Sequence, residues 1–502
     1  MSDVRCKIVL FLLLLFVTMT TAAEDGIRLR GCRRGVQLAT TRAHRSQPSP
    51  RQAGGDFYHG DRHQLVVLAA FRDQAFEGDE ATALDKWDQI FNAENYQENA
   101  FVGSVHDYFY AQSYGQFNLI FDLIHVNLPD SCKKYRSTAE HDENSQYMVD
   151  DIVDTLQTLD IDWSLYDWNG DGYVNQLLIV YAGKGMNVGG GSNTIWPHQW
   201  WLSAHVDMTT GDTYRNYRTV NTADKTFIID CYCCVQEVVN SGTIKSSFGT
   251  ICHEYSHCFG FPDFYYGSTK FVGAWDLMDL GNYNGKGFCP ASYSAHERWL
   301  MGWLKPIELA EPATITDMPS LGEAGKAYLI RNDDYPDEFY IVENRQRSKF
   351  DAELPGAGVV IFHIDFDESL WTGIYDFPNT SKVQHYVIFP ANDIPFYYQS
   401  ESGWAYPYQD NNSLTDTSKP AAELWHARSD SIFLMSKPLT NIAVDSVGLA
   451  SFDFMKLPDA IQTIVSVSDA TQQWFDLQGR QLPGRPQRKG LYIVGGRKVV
   501  VR

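Results

Sequence analysis

Apart from one stretch of ten uninterrupted apolar residues, Ile8–Val17, the chain has no long hydrophobic run. A bilayer-crossing helix needs about twenty such residues, so no membrane span is expected. Among the nine cysteines only Cys231 and Cys234 stand at CxxC spacing and no second pair accompanies them, so a structural zinc site is not expected. Cys231, Cys233 and Cys234 are too crowded to define a disulfide framework. No internal repeat is present, which argues against a repeat architecture. Basic residues are scarce in the body: residues 56–475 hold 25 Lys and Arg against 58 Asp and Glu, a net charge near −33. A polyanion such as nucleic acid is repelled by such a body. Apolar content is not scarce, and 44% hydrophobic with 14% aromatic residues excludes wholesale disorder. At 502 residues the chain is longer than one ordinary domain and long enough for a large core.

The ends are distinct from the body. Arg5 and Lys7 precede the apolar run, and Thr21-Ala22-Ala23 follows it with small residues. Residues 1–23 therefore read as a secretory signal peptide, giving a secreted or cell-surface protein without a transmembrane segment. Residues 24–60 read as a basic propeptide or linker, with seven arginines and only Glu24 and Asp25 up to residue 55. Cys32 lies among those arginines, which favour its thiolate, and is a candidate latency residue that would ligate a zinc ion in the precursor.

The most informative stretch is His253-Glu254-Tyr255-Ser256-His257-Cys258-Phe259-Gly260-Phe261-Pro262-Asp263. Two histidines four apart project from one face of a helix and can hold one zinc ion. Glu254 stands beside the first of them as a general base. Gly260 suits the left-handed residue that ends a helix, and Pro262 prevents its continuation. A sharp turn there returns Asp263 to the metal as third ligand, with the fourth position left for water as in catalytic sites. Glu297, on a following helical stretch, is the alternative third ligand, and Glu237 is a weaker one upstream. Tyr283 and His198 are candidate donors to an oxyanion.

This run, followed by Trp275-Asp276-Leu277-Met278-Asp279-Leu280-Gly281, resembles the immune inhibitor A-like secreted metallopeptidases. Ser104–Phe109, Ser113–Phe117, Ile195-Trp196-Pro197-His198, Gly302-Trp303-Leu304 and Glu343-Asn344-Arg345-Gln346 resemble further landmarks of that family, so the likeness covers about residues 60–370. It implies a metzincin-like zinc peptidase in which Met278 forms an apolar floor beneath the metal. It also implies protein or peptide substrates.

The fold class expected is an α/β (α+β) catalytic domain over residues 61–305, then a β-rich region over 306–458 and a short C-terminal β module over 459–502. Leu65–Phe71 and Gln176–Ala182 read as central strands and Asp107–Gln112 as a helix. Ala327–Arg331, Phe339–Glu343, Gly358–Asp365, Gln384–Pro390 and Ser431–Met435 read as strands after residue 306. The last segment, with three short strands, resembles the sorting modules of type IX secretion and implies the secretion machinery as a partner. Asp167, Asn169 and Asp171 alternate as in the first half of a calcium loop, but Leu178 stands where the twelfth-position carboxylate is needed. A full EF-hand is excluded and a smaller calcium turn is expected.

The function expected is zinc-dependent endoproteolysis of extracellular proteins. The rival from another class is a surface adhesin or glycan-binding protein with a decayed peptidase domain.

Overall fold

The structure, a computed structural model, describes residues 57–137, 144–204, 217–238, 248–372, 377–380, 382, 384–395, 400–456, 473–494 and 497–501. The signal segment and Cys32 lie outside the described residues. Two units are present, one ending at Phe454 and one over Met455–Arg502.

The first unit is built on a five-stranded sheet. Its strands are β1 (Gly60–Ala70), β2 (Phe117–Asn127), β4 (Leu177–Lys184), β5 (His198–Trp201) and β8 (Cys231–Val238), in the order β2-β1-β4-β8-β5. The first four in that order run parallel, and β5 lies antiparallel at the edge. Residues of β8 are buried throughout, and those of β4 all but Lys184. This is why they read as continuous apolar runs rather than alternating ones. The strand expected from Leu65 begins earlier, because Asp61, Arg62, His63 and Gln64 pair in full register with β2. Three further short strands, β3 (Tyr173–Val174), β6 (Arg218–Asn221) and β7 (Thr226–Ile229), form a small sheet in the order β3-β7-β6.

Helices α1 (Glu80–Asn92), α2 (Val105–Gln112), α3 (Ser145–Leu156), α4 (Phe248–Cys258) and α5 (Ala295–Leu300) belong to the same unit. Helix α2 starts with a reciprocal cap: Ser104 Oγ accepts from the Asp107 amide at 3.1 Å, and the Asp107 carboxylate accepts from the Ser104 amide at 2.9 Å. Two orphan amide donors are thereby satisfied. Helix α4 is buried along its whole length.

After α5 the architecture turns to β-structure. Strands β9 (Ile307–Glu308), β11 (Ala327–Arg331), β12 (Glu338–Arg345), β13 (Gly358–Asp365) and β14 (Tyr386–Ile388) form a sheet in the order β14-β13-β12-β11-β9. Strands β10 (Ala313–Met318), β15 (Leu439–Val444) and β16 (Ala450–Phe454) form another, with β16 in the centre. A single buried cluster joins Leu65 and Ile179 of the parallel sheet to Met278, Ile341, Phe362 and Tyr386. Ser431–Met435, expected as a strand, is not one. The Asp430 carboxylate accepts the Ile432 amide and Ser431 adopts φ +65°, a turn conformation that confines pairing to a single bridge between Leu434 and Glu423.

The second unit is a four-stranded antiparallel sheet of β17 (Trp474–Phe475), β18 (Gln481–Leu482), β19 (Gly490–Val494) and β20 (Arg497–Val501), ordered β18-β17-β19-β20. Its small core is Trp474, Val494 and Val501. The expectation of three strands omitted β18. Among the described residues, no helix is long and apolar enough to cross a membrane.

Candidate active site

Helix α4 carries His253, Glu254 and His257 on consecutive turns. Its start is pressed against the stretch after Leu280, where a Cβ on Gly249 would lie 1.9 Å from the Asn282 carbonyl oxygen. Only glycine fits that approach. Its end is closed by a Schellman pattern. The Gly260 amide donates to the His257 carbonyl at 2.9 Å and the Phe261 amide to the Ser256 carbonyl at 3.3 Å. Gly260 itself has φ +96°, the left-handed conformation that the pattern requires.

The chain reverses at that turn and brings Asp263 over the two histidines. Asp263 Oδ1 is 3.2 Å from His253 Nε2 and 3.2 Å from His257 Nε2. Donors bound tetrahedrally to zinc at about 2.0–2.1 Å stand about 3.3 Å apart, so these separations fit one shared ion. The Nδ1 atoms face the other way: His253 donates to the Leu277 carbonyl at 2.9 Å and His257 to the Phe261 carbonyl at 2.7 Å. Carbonyl acceptors there leave each Nε2 lone pair free to ligate, the usual support of a metal-bound imidazole. Asp263 is fully buried, and the two imidazoles are the groups that face its carboxylate among the described residues. A buried carboxylate so sparsely supported is costly unless a cation meets it. A carboxylate oxygen of Glu254 and a nitrogen from each imidazole lie within 4.8 Å of one another.

Electrostatics agree with this reading. Burial opposes charge on His253, yet Asp263 and Glu254 outweigh it and raise the imidazole to about 9. Burial likewise opposes ionisation of Asp263, and the two histidines override it to hold the carboxyl well below its ordinary range. A divalent cation held there would supply the positive charge that these carboxylates favour.

The other sequence-derived candidates have different surroundings. Glu297 Oε2 accepts from the Ser294 amide at 2.7 Å and the Ser294 hydroxyl at 3.0 Å, so its bonds cap α5. Glu237 accepts the Gly183 amide at 3.0 Å, at the end of β4. His198 is engaged at both ring nitrogens, with the Trp196 carbonyl at 2.7 Å, Tyr232 Oη at 2.9 Å and Ser145 Oγ at 3.1 Å. Tyr283 is half-buried in the stretch that packs on the start of α4. Met278 is fully buried; its amide donates to Asp276 at 2.8 Å and its carbonyl accepts from Phe264 at 2.9 Å.

The turn of Asp167, Asn169 and Asp171 is occupied by protein groups. Asp167 Oδ2 accepts Lys225 Nζ at 2.7 Å and the Gly172 amide at 2.9 Å, and Asn169 donates to Asp171 at 2.7 Å. An ammonium supplies the positive charge, and nothing in this arrangement supports calcium. No disulfide joins two of the seven described cysteines, six of which are buried.

Sequence reasoning did not reach Leu277, Phe264, Asn379 or Tyr386, which surround the ligands. A backbone carbonyl acceptor carries no residue signature, and Tyr386 is 110 positions from Asp276, with which it bonds at 2.9 Å.

Residues 61–304 match the family described as immune inhibitor A peptidase M6, catalytic domain. Immune inhibitor A of Bacillus thuringiensis subsp. alesti is 25% identical over 288 residues, covering 48% of this chain and 40% of that protein. The match thus spans less than half of that relative's length. Two crystal structures of wild-type OgpA from Akkermansia muciniphila align with TM-score 0.26 at 10% and 11% identity. They cover 56% and 60% of this chain and 71% and 88% of theirs, and a likeness at that TM-score carries no argument.

Proposed function

We propose, from the match of residues 61–304 to the immune inhibitor A peptidase M6 catalytic domain, that the chain is a zinc-dependent endopeptidase acting on extracellular proteins. His253, His257 and Asp263 hold the ion, and Glu254 is the general base. The observation that carries this reading is the single Asp263 oxygen 3.2 Å from both Nε2 atoms. When bound, zinc acidifies a water and polarises the scissile carbonyl. Glu254 would accept the proton of the attacking water and return it to the leaving amine. Tyr283 is the candidate hydroxyl donor to the oxyanion, and His198, with both nitrogens engaged, is the weaker one. Strand β5 lies at the sheet edge and contacts α4. An extended substrate segment adding to such an edge gains main-chain hydrogen bonds without a fixed side-chain requirement. The turn-borne third ligand and the methionine turn together support a metzincin-like catalytic domain.

In this reading residues 1–23 direct export, 24–60 form a basic propeptide in which Cys32 supplies latency, and 459–502 engage secretion machinery. The stretch 306–458 is read as completing the catalytic domain, supported by Ile341, Phe362 and Tyr386 in the same buried cluster as Leu65 and Ile179. The adhesin reading finds no support, because a binding protein has no use for a base beside a complete ligand set.

The test is incubation of purified precursor with denatured protein, with and without chelator, and reading product termini by mass spectrometry. Internal cleavage abolished by chelator and restored by zinc is expected. Absence of cleavage by zinc-loaded, N-terminally processed protein, or cleavage indifferent to chelator, contradicts the proposal.

A further inference from the structure

The ligand-bearing segments lean on two residues that lie well outside the matched catalytic segment. His253 is oriented by the Leu277 carbonyl at 2.9 Å. Leu277 is itself fixed from both sides, because Asp276 Oδ1 accepts the Met278 amide at 2.8 Å and Asp276 Oδ2 accepts the Tyr386 hydroxyl at 2.9 Å. Asp263 is followed by Phe264, whose carbonyl accepts Asn379 Nδ2 at 2.9 Å. The Phe264 ring lies 4.1 Å, centroid to centroid, from that of Tyr386. Asn379 and Tyr386 are one unit: Asn379 Nδ2 donates to the Tyr386 carbonyl at 2.7 Å, and Asn379 Oδ1 accepts the Tyr386 amide at 3.0 Å. Asp276, Phe264, Asn379 and Tyr386 are all fully buried.

We propose that Tyr386 and Asn379 are positioning residues of the metal centre, the tyrosine hydroxyl fixing the Leu277 carbonyl that orients His253 and the asparagine amide fixing the segment that carries Asp263. The inference rests on His253, His257 and Asp263 holding zinc. Rotation of an imidazole or displacement of a carboxylate by a few tenths of an ångström weakens a metal site without unfolding the protein. Loss of such supporting bonds costs about 10–100-fold in metal affinity or activity. The competing explanation is core packing alone, and it makes a different prediction. Tyr340, on β12 of the same sheet, is equally buried and its hydroxyl donates to the Glu423 carbonyl at 2.6 Å. Among the described residues, its hydroxyl bonds no segment bearing a proposed ligand.

The experiment uses the full chain and three variants, Tyr386→Phe, Asn379→Ser and Tyr340→Phe. Tyr386→Phe keeps the ring on Phe264 and removes only the hydroxyl. Zinc affinity is read by competition with a chromophoric chelator, cobalt-substituted protein is read by visible absorption, and thermal unfolding is read in excess chelator. Tyr386→Phe and Asn379→Ser are expected to lose about 10-fold or more in zinc affinity and to shift the cobalt bands. Tyr340→Phe is expected to lower the unfolding temperature while keeping affinity within about twofold. Wild-type affinity and cobalt bands in Tyr386→Phe and Asn379→Ser overturn the inference, as does an equal loss of affinity in Tyr340→Phe. If the wild type binds no zinc that His257→Ala removes, the metal reading fails as well, so the two failures are distinguishable.

Discussion

His253 donates its Nδ1 proton to the carbonyl oxygen of Leu277 at 2.9 Å. That bond couples the first of the proposed metal ligands to the turn at Met278, because Met278 is the next residue. It also makes the identity of the third ligand testable, since the two candidate carboxylates occupy different networks.

Asp263→Ala should release zinc, whereas Glu297→Ala should keep it. Asp263 faces both Nε2 atoms at 3.2 Å, while the bonded oxygen of Glu297 serves the cap of its own helix. Metal content after gel filtration decides between them. Zinc retained in Asp263→Ala and lost in a folded Glu297→Ala reverses the assignment.

Arg345→Ala should destabilise the protein by about 3–5 kcal/mol, as expected when one partner of a buried ion pair is removed. Arg345 is fully buried and bonds Asp351 at 2.7 and 2.8 Å and Glu343 at 3.0 Å. Its loss strands two carboxylates, one of which holds the Ala295 amide at the start of α5. Denaturant unfolding with a midpoint unchanged from wild type contradicts this account of the Glu343-Asn344-Arg345-Gln346 segment.

Stability should fall as pH rises from about 4 to 7, and Asp279→Asn should flatten that fall. Burial raises the Asp279 carboxyl to about 7, even though its Oδ2 accepts the amides of Phe271, Val272 and Gly273. A carboxyl whose folded value lies above its unfolded one contributes stability that is complete below the unfolded value, near 4, and lost as pH passes the folded one. Unfolding temperatures of the metal-stripped protein across this range test the sign. A wild-type profile that rises over the window, with Asp279→Asn the same, contradicts it.

Gly249→Ala should impair the site from the far end of α4. The added methyl meets a backbone carbonyl of the Asn282 turn, which has no side chain to move aside. Lower zinc affinity together with a reduced unfolding temperature is expected, and wild-type behaviour in both assays contradicts the close approach.

The run from His253 to Asp263 was legible in the sequence because its geometry is local. His253, Glu254, His257, Gly260 and Asp263 fall within eleven positions, and helix geometry plus one glycine turn accounts for their meeting. Central strands were legible where burial on both faces writes a continuous apolar run, as in β4 and β8. The polar half of β1 was not, since Asp61 to Gln64 join the ladder through main-chain pairing with β2. The cation at the Asp167 turn was not legible, because Lys225 comes from 58 positions away. The supports at Asn379 and Tyr386 were invisible for the same reason: contacts made across a fold through main-chain atoms leave no spacing to read.

The most direct test of the account is Glu254→Ala. Purified protein should retain zinc and the wild-type unfolding temperature while cleavage of a denatured, casein-like substrate falls by about 10²–10⁴-fold, the range expected for removing a general base. Cleavage at the wild-type rate by zinc-loaded Glu254→Ala contradicts the account.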